Sequence, residues 1–158
     1  MIQINEYNKI KVLRDDVLIG GTKSVLMPHI VGGADEYVYA SPVYGGFQIA
    51  LSAYCTSIGK QATIFCAKRR ETHENTLRCI AHGAKVVEVE HGYLSVVEKR
   101  ARDYCAASGA QKLEFGAKTK KNKSLIAERM WSITKKLGEE PEEIWCAIGS
   151  GMLVEGIL

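Results

Sequence analysis

The chain has 158 residues, 46% of them hydrophobic and 25% charged, and a net charge of +3. That length suits one domain with a real core, and the composition excludes a disordered tail, a collagen-like fibre and a membrane bundle. The mild basic excess falls short of the concentrated charge of a dedicated nucleic-acid binder.

Short β-rich runs alternate with longer amphipathic ones along the chain. Residues 13–19 are strand-like and lead to Gly20-Gly21-Thr22-Lys23, with Lys23 at the start of a helix. Residues 36–40 read as a strand, and 46–58 as a helix buried on most sides that ends at Gly59. Residues 62–66 form the next strand, followed by a helix over 72–82 capped by Thr72. A strand over 85–89, a helix over 93–107 and a short strand over 111–115 follow.

The segment 116–123 reads as a loop carrying Lys118, Lys120, Lys121 and Lys123. Ser124 is the expected cap of a helix reaching Leu137, with Ile126, Met130, Ile133 and Leu137 on one stripe. Residues 143–148 read as a final buried strand, running through Gly149-Ser150-Gly151 into a helix start at 152–158. This alternation predicts one α/β domain over 1–158, with a mostly parallel twisted sheet and helices on both faces.

The five cysteines, Cys55, Cys66, Cys79, Cys105 and Cys146, contain no C-x-x-C pair. They are expected as free, buried thiols in a reducing cytoplasm rather than as metal ligands. The opening residues lack the apolar centre of a signal peptide, and no apolar run reaches the ~18–20 residues of a spanning helix. His29, His73, His82 and His91 lie apart and are expected at the surface or at caps, with no metal site.

Three segments could carry chemistry. Lys23, just after a Gly-Gly turn, would feel the positive end of a helix dipole, and burial would further disfavour its charged form. Schiff-base chemistry needs that neutral amine, although an exposed lysine explains the same spacing. The loop 41–48 carries Ser41, Tyr44, Gly45 and Gly46 into a helix start, where backbone N–H groups can hold a carboxylate or phosphate. A plain tight turn accounts for it equally well. Gly149, Ser150 and Gly151 permit close approach of a phosphate but do not complete a dinucleotide fingerprint. The lysines of 118–123 suit either solvent or an anion such as a nucleic-acid phosphate.

In this order, Arg14-Asp15-Asp16, Gly20-Gly21-Thr22-Lys23, the 41–46 loop and Gly149-Ser150-Gly151 resemble the N-terminal part of the fold-type-II pyridoxal-phosphate enzymes. The nearest likeness is to the 1-aminocyclopropane-1-carboxylate deaminase and D-cysteine desulfhydrase branch, shortened at the C-terminus. It extends from about Val12 to Leu158, with 12–34 like the cofactor-lysine segment and 35–150 like the small-domain core. The resemblance implies pyridoxal 5'-phosphate as cofactor and Lys23 as the Schiff-base lysine and proton shuttle. It implies Tyr44, Gly149, Ser150 and Gly151 at the cofactor, and Ser41, Gly45 and Gly46 at the substrate carboxylate. The activity implied is that of a lyase or transferase on a small amino acid, in a homodimer or with a completing chain.

Tyr44 stands where such enzymes carry Asn, and Met152 and Leu153 where their phosphate cup is rich in Gly and Thr. Two further readings follow: a non-catalytic binding or structural module derived from the family, and a nucleotide- or phosphosugar-binding protein.

Overall fold

Residues dense in β-branched and aromatic side chains form one parallel sheet. The computed structural model describes residues 2–90 and 92–158; Met1, and His91 with its expected surface or capping place, lie outside them. Contacts divide the chain into two units, Arg14–Glu114, and the chain up to Leu13 with Phe115–Leu158.

In the first of these, strands β3 (Glu36–Ala40), β4 (Gln61–Ala67), β5 (Lys85–Val89) and β6 (Gln111–Lys112) form a four-stranded sheet in the order β5-β4-β3-β6. All three pairings are parallel. The crossovers are helices α2 (Phe47–Ser57), α3 (Glu74–Ala81) and α4 (Leu94–Ser108). The α/β class read from the alternation is therefore the one found. β3 and β4 are flanked on both sides and buried along nearly their whole length, which is why their apolar runs are continuous rather than alternating. β5, at the edge, keeps Lys85 and Glu88 exposed.

Val38, Ala40, Phe65 and Val89 pack against Val97 and Ala101 of α4. Tyr37, Leu51 and Ile64 are fully buried, each burial being worth about 1.5–3 kcal/mol. The buried Tyr37 hydroxyl accepts hydrogen bonds from the Gly32 and Ala34 amides at 2.6 and 3.2 Å, so its polar tip is satisfied. Ahead of β3, the strand expected over 13–19 is replaced by a 3-10 turn at Asp15–Val17. There the Arg14 guanidinium donates to both carboxylate oxygens of Asp16, at 2.8 Å each. A second 3-10 segment, Gly21–Leu26, carries Lys23 and runs into the short helix α1 (Met27–Ile30).

The other unit holds a hairpin of β1 (Ile4–Tyr7) and β2 (Ile10–Leu13), together with helices α5 (Lys120–Leu137) and α6 (Met152–Ile157). Two caps differ from expectation. Thr119, not Ser124, caps α5 by accepting the Asn122 amide at 3.2 Å, and the Ser124 hydroxyl turns back onto the Lys120 carbonyl. Lys120, Lys121 and Lys123 thus form the first helical turn instead of a loop, against the helix dipole. His73, not Thr72, caps α3.

The expected strand over 143–148 does not form. No described strand pairs with it, and Trp145 and Ile148 are 89% and 71% exposed. A run that is apolar on both faces is stable as a strand only when both faces are covered. No helix among the described residues is long and apolar enough to cross a membrane.

Candidate active site

Strand order reverses at β3: the chain steps outward from β3 to β4 and β5, then returns to lay β6 on the far side of β3. In open α/β sheets the carboxyl end of the strand at such a reversal is where ligands bind. The loop leaving β3 there is 41–46, the segment singled out by its glycines. The Ser41 amide continues the ladder to the Phe65 carbonyl at 2.8 Å, so the ends of β3 and β4 stay laced together.

Two side chains anchor this loop. The Ser41 hydroxyl donates to the Pro42 carbonyl at 2.9 Å, and Ser41 is only 1% exposed. Its hydroxyl is committed to the loop itself. Gln48, in the first turn of α2 and fully buried, donates through Nε2 to the Val43 carbonyl at 2.9 Å. Its Oε1 is buried with no hydrogen-bond partner. An unsatisfied buried acceptor costs about 1–3 kcal/mol, so the head of α2 is one donor short.

The Lys23 turn docks onto this same loop. Gly20 has φ of 82°, and a Cβ there would lie 2.5 Å from the Ala50 nitrogen and 2.7 Å from the Gly46 oxygen. The backbones of the two glycine motifs therefore touch. The consequence is that Lys23, half-buried, brings its Nζ to 5.7 Å from the Phe47 ring centroid at the head of α2. Phe47 in turn packs on Tyr39 of β3 with centroids 4.5 Å apart. Of the residues picked from the sequence, Lys23, Ser41, Gly45 and Gly46 thus share one neighbourhood.

Tyr44 projects from the same loop, 71% exposed. Its ring meets His73 edge to face, with centroids 4.8 Å apart and planes at 84°. Sequence reasoning places His73 at the surface or at a cap and misses this contact. Its only local signal is a histidine just ahead of Glu74-Asn75 at the start of a helix.

In the other unit, Gly149 opens onto free space, whereas Ser150 packs on Gly116, where a Cβ would come within 2.8 Å of the Ser150 hydroxyl oxygen. Gly151 precedes α6, and Gly156 fits against Ile126 of α5. Lys118 and Lys123 both pair with Glu155, the former at 2.9 Å. These two ammonium groups hold the Glu155 carboxyl well below its ordinary range, at about 2. Glu155 escapes a reading of the sequence because its partners Lys118 and Lys123 lie 37 and 32 residues upstream.

An amine beside an apolar ring, a glycine-lined loop and a buried acceptor lacking a donor fit the aldehyde cofactor with polar substituents that the resemblance implies. No cluster of metal-ligating side chains occurs among the described residues.

No family model matches the chain, and no curated protein matches it. Solved structures do. An O-acetylserine dependent cystathionine beta-synthase from Helicobacter pylori aligns with a TM-score of 0.75 at 17% identity, over 98% of this chain and 57% of that one. A homologue of ACC deaminase aligns with a TM-score of 0.71 at 16% identity, over 93% and 49%. A threonine deaminase from T.th. gives 0.64 at 14%, over 88% and 43%. At these identities the likeness shows a shared fold. The chain spans only 36% to 57% of the length of such structures.

Proposed function

We propose that the chain binds pyridoxal 5'-phosphate through Lys23 and acts on a small amino acid as a lyase or transferase. The observation that carries this reading is the docking of the Gly20 turn onto Gly46 and Ala50, which sets the Lys23 amine at the head of α2. The fold shared with a cystathionine beta-synthase, a threonine deaminase and an ACC deaminase homologue supports it, in line with the fold-type-II resemblance of the sequence.

Bound pyridoxal phosphate supplies an electron sink for charge developing on the substrate. Lys23 would hold the cofactor through its amine, and the same amine would hold or move a proton at the substrate α or β carbon. Phe47 keeps water from one side of that amine. The backbone N–H of Gly46 faces the substrate carboxylate, while the Gly45 N–H and the Ser41 hydroxyl, both donating to the Pro42 carbonyl, keep the loop in shape. A homodimer, or a second chain completing the site, belongs to the same proposal.

The test is an absorbance band on adding pyridoxal phosphate to the wild-type protein, absent in Lys23→Ala. Borohydride reduction should fix the label on the peptide containing Lys23. A wild-type protein without the band removes the reading. A second reading, a non-catalytic binding module, is favoured by the engaged Ser41 hydroxyl; it expects ligand binding with no turnover of any amino acid.

A further inference from the structure

The loop 41–46 leaves β3 and the connection bearing His73 leaves β4, two adjacent parallel strands. Both connections start at the carboxyl edge of the sheet, where the Ser41 amide bonds to the Phe65 carbonyl. The aromatic contact between Tyr44 and His73 joins them further out.

The two partners differ in how firmly they are held. Nδ1 of His73 accepts the Asn75 amide at 3.1 Å, as the side-chain cap of α3. That bond fixes the imidazole to the helix and leaves the proton of the neutral ring on Nε2. Tyr44 has no such tether. It is followed in its loop by Gly45 and Gly46, it is largely exposed, and its hydroxyl has no protein partner among the described residues. Without His73 its ring would swing among rotamers in solvent. A capped, immobile ring beside a free one is an arrangement in which the first sets the place of the second.

We infer that His73 is a positioning residue, holding the Tyr44 ring as an aromatic wall against the cofactor bound at Lys23. This rests on the proposed function above. His73 does not touch the reacting atoms. It acts by confining Tyr44, and an edge-to-face pair confines a ring by roughly 3- to 10-fold.

The experiment compares wild type, His73→Asn, His73→Phe, Tyr44→Ala and the double variant His73→Asn/Tyr44→Ala. Asn keeps a good helix cap but removes the ring, whereas Phe keeps a ring and loses the cap. Affinity for pyridoxal 5'-phosphate is read by fluorescence, thermal stability by unfolding, and Tyr44 ring resonances by NMR on the cofactor-free protein. His73→Asn is expected to retain its melting temperature, to shift the Tyr44 ring resonances, and to weaken cofactor binding roughly 3- to 10-fold. His73→Phe is expected to lower the melting temperature while keeping most of the affinity. In the Tyr44→Ala background, His73→Asn should cause no additional loss.

Unchanged Tyr44 resonances and affinity in His73→Asn would overturn the inference. So would losses that simply add in the double variant. If the wild type binds no pyridoxal phosphate, the proposed function itself falls, an outcome distinct from a wild type that binds and a His73→Asn variant that binds equally well.

Discussion

Gly20 and Gly46 meet backbone to backbone: a Cβ on Gly20 would lie 2.7 Å from the Gly46 carbonyl oxygen, and one on Gly46 would lie 3.0 Å from that of Gly20. Residues 26 positions apart are thereby locked together without any side chain, and the lysine three residues beyond Gly20 is placed by that contact. A methyl group on Gly20 would overlap backbone atoms, and one on Gly46 would fit only if the Gly20 carbonyl gave way by a few tenths of an ångström.

The neighbouring glycine provides an internal control. Gly21 also has a positive φ, 77°, but a Cβ there meets nothing within 4 Å. Gly21→Ala should therefore cost only the left-handed backbone strain, about 1–2 kcal/mol. Gly20→Ala adds an overlap with backbone atoms that only a shift of the turn can relieve, for a total of about 3 kcal/mol or more. Urea unfolding of the two variants checks the difference. Equal losses would mean that the turn does not rest on α2.

Glu155 should report acid pH. Its carboxyl is held at about 2, chiefly by hydrogen bonds from Lys123 and Lys118, against an ordinary value of 4.5. A lowered folded-state value means that the stabilisation is fully present above about 4.5 and is lost as pH falls through about 2. Wild type and Glu155→Gln should therefore differ in melting temperature at neutral pH and converge at the acid end. Added salt should shrink the gap, because the pair is open to solvent. A gap that ignores both pH and salt would show that the ion pairs do not form.

The thiols should divide by burial. Cys55, Cys66 and Cys79 are buried, whereas Cys105 and Cys146 are partly exposed. Burial pushes Cys55 and Cys79 up to about 11 from 9.0. A thiol reagent at about pH 8 should label two of the five cysteines in the folded protein and the rest only on unfolding. Raised thiols also favour the folded state less as pH climbs, since the unfolded chain loses those protons first. Stability should fall between pH 9.0 and about 11. Prompt labelling of all five would contradict this core.

Much of the fold could be read from local pattern. Tyr37-Val38-Tyr39 and Ile64-Phe65-Cys66 announce strands covered on both faces, and Gly109 and Gly138 close α4 and α5 as their positions suggest. The caps were less legible. Thr72 and Ser124 are plausible caps by residue type, and only the bonds from the Asn75 amide to His73 Nδ1 and from the Asn122 amide to the Thr119 hydroxyl decided for His73 and Thr119. The strand expected at Ile144-Trp145-Cys146 failed because a strand is defined by its neighbours, and no described strand lies beside it.

The order of residues along the chain was enough for the α/β class, the strands of the central sheet and the glycine motifs around Lys23, because periodicity and turn chemistry act over a few residues. Packing in three dimensions was needed to rest Gly20 on Gly46, to set Tyr44 on His73, to turn the Ser41 hydroxyl inward, and to gather Lys118 and Lys123 around Glu155. Each is a contact between groups whose distance along the chain is unrelated to their distance in space, or a choice among local partners that only the packed chain makes.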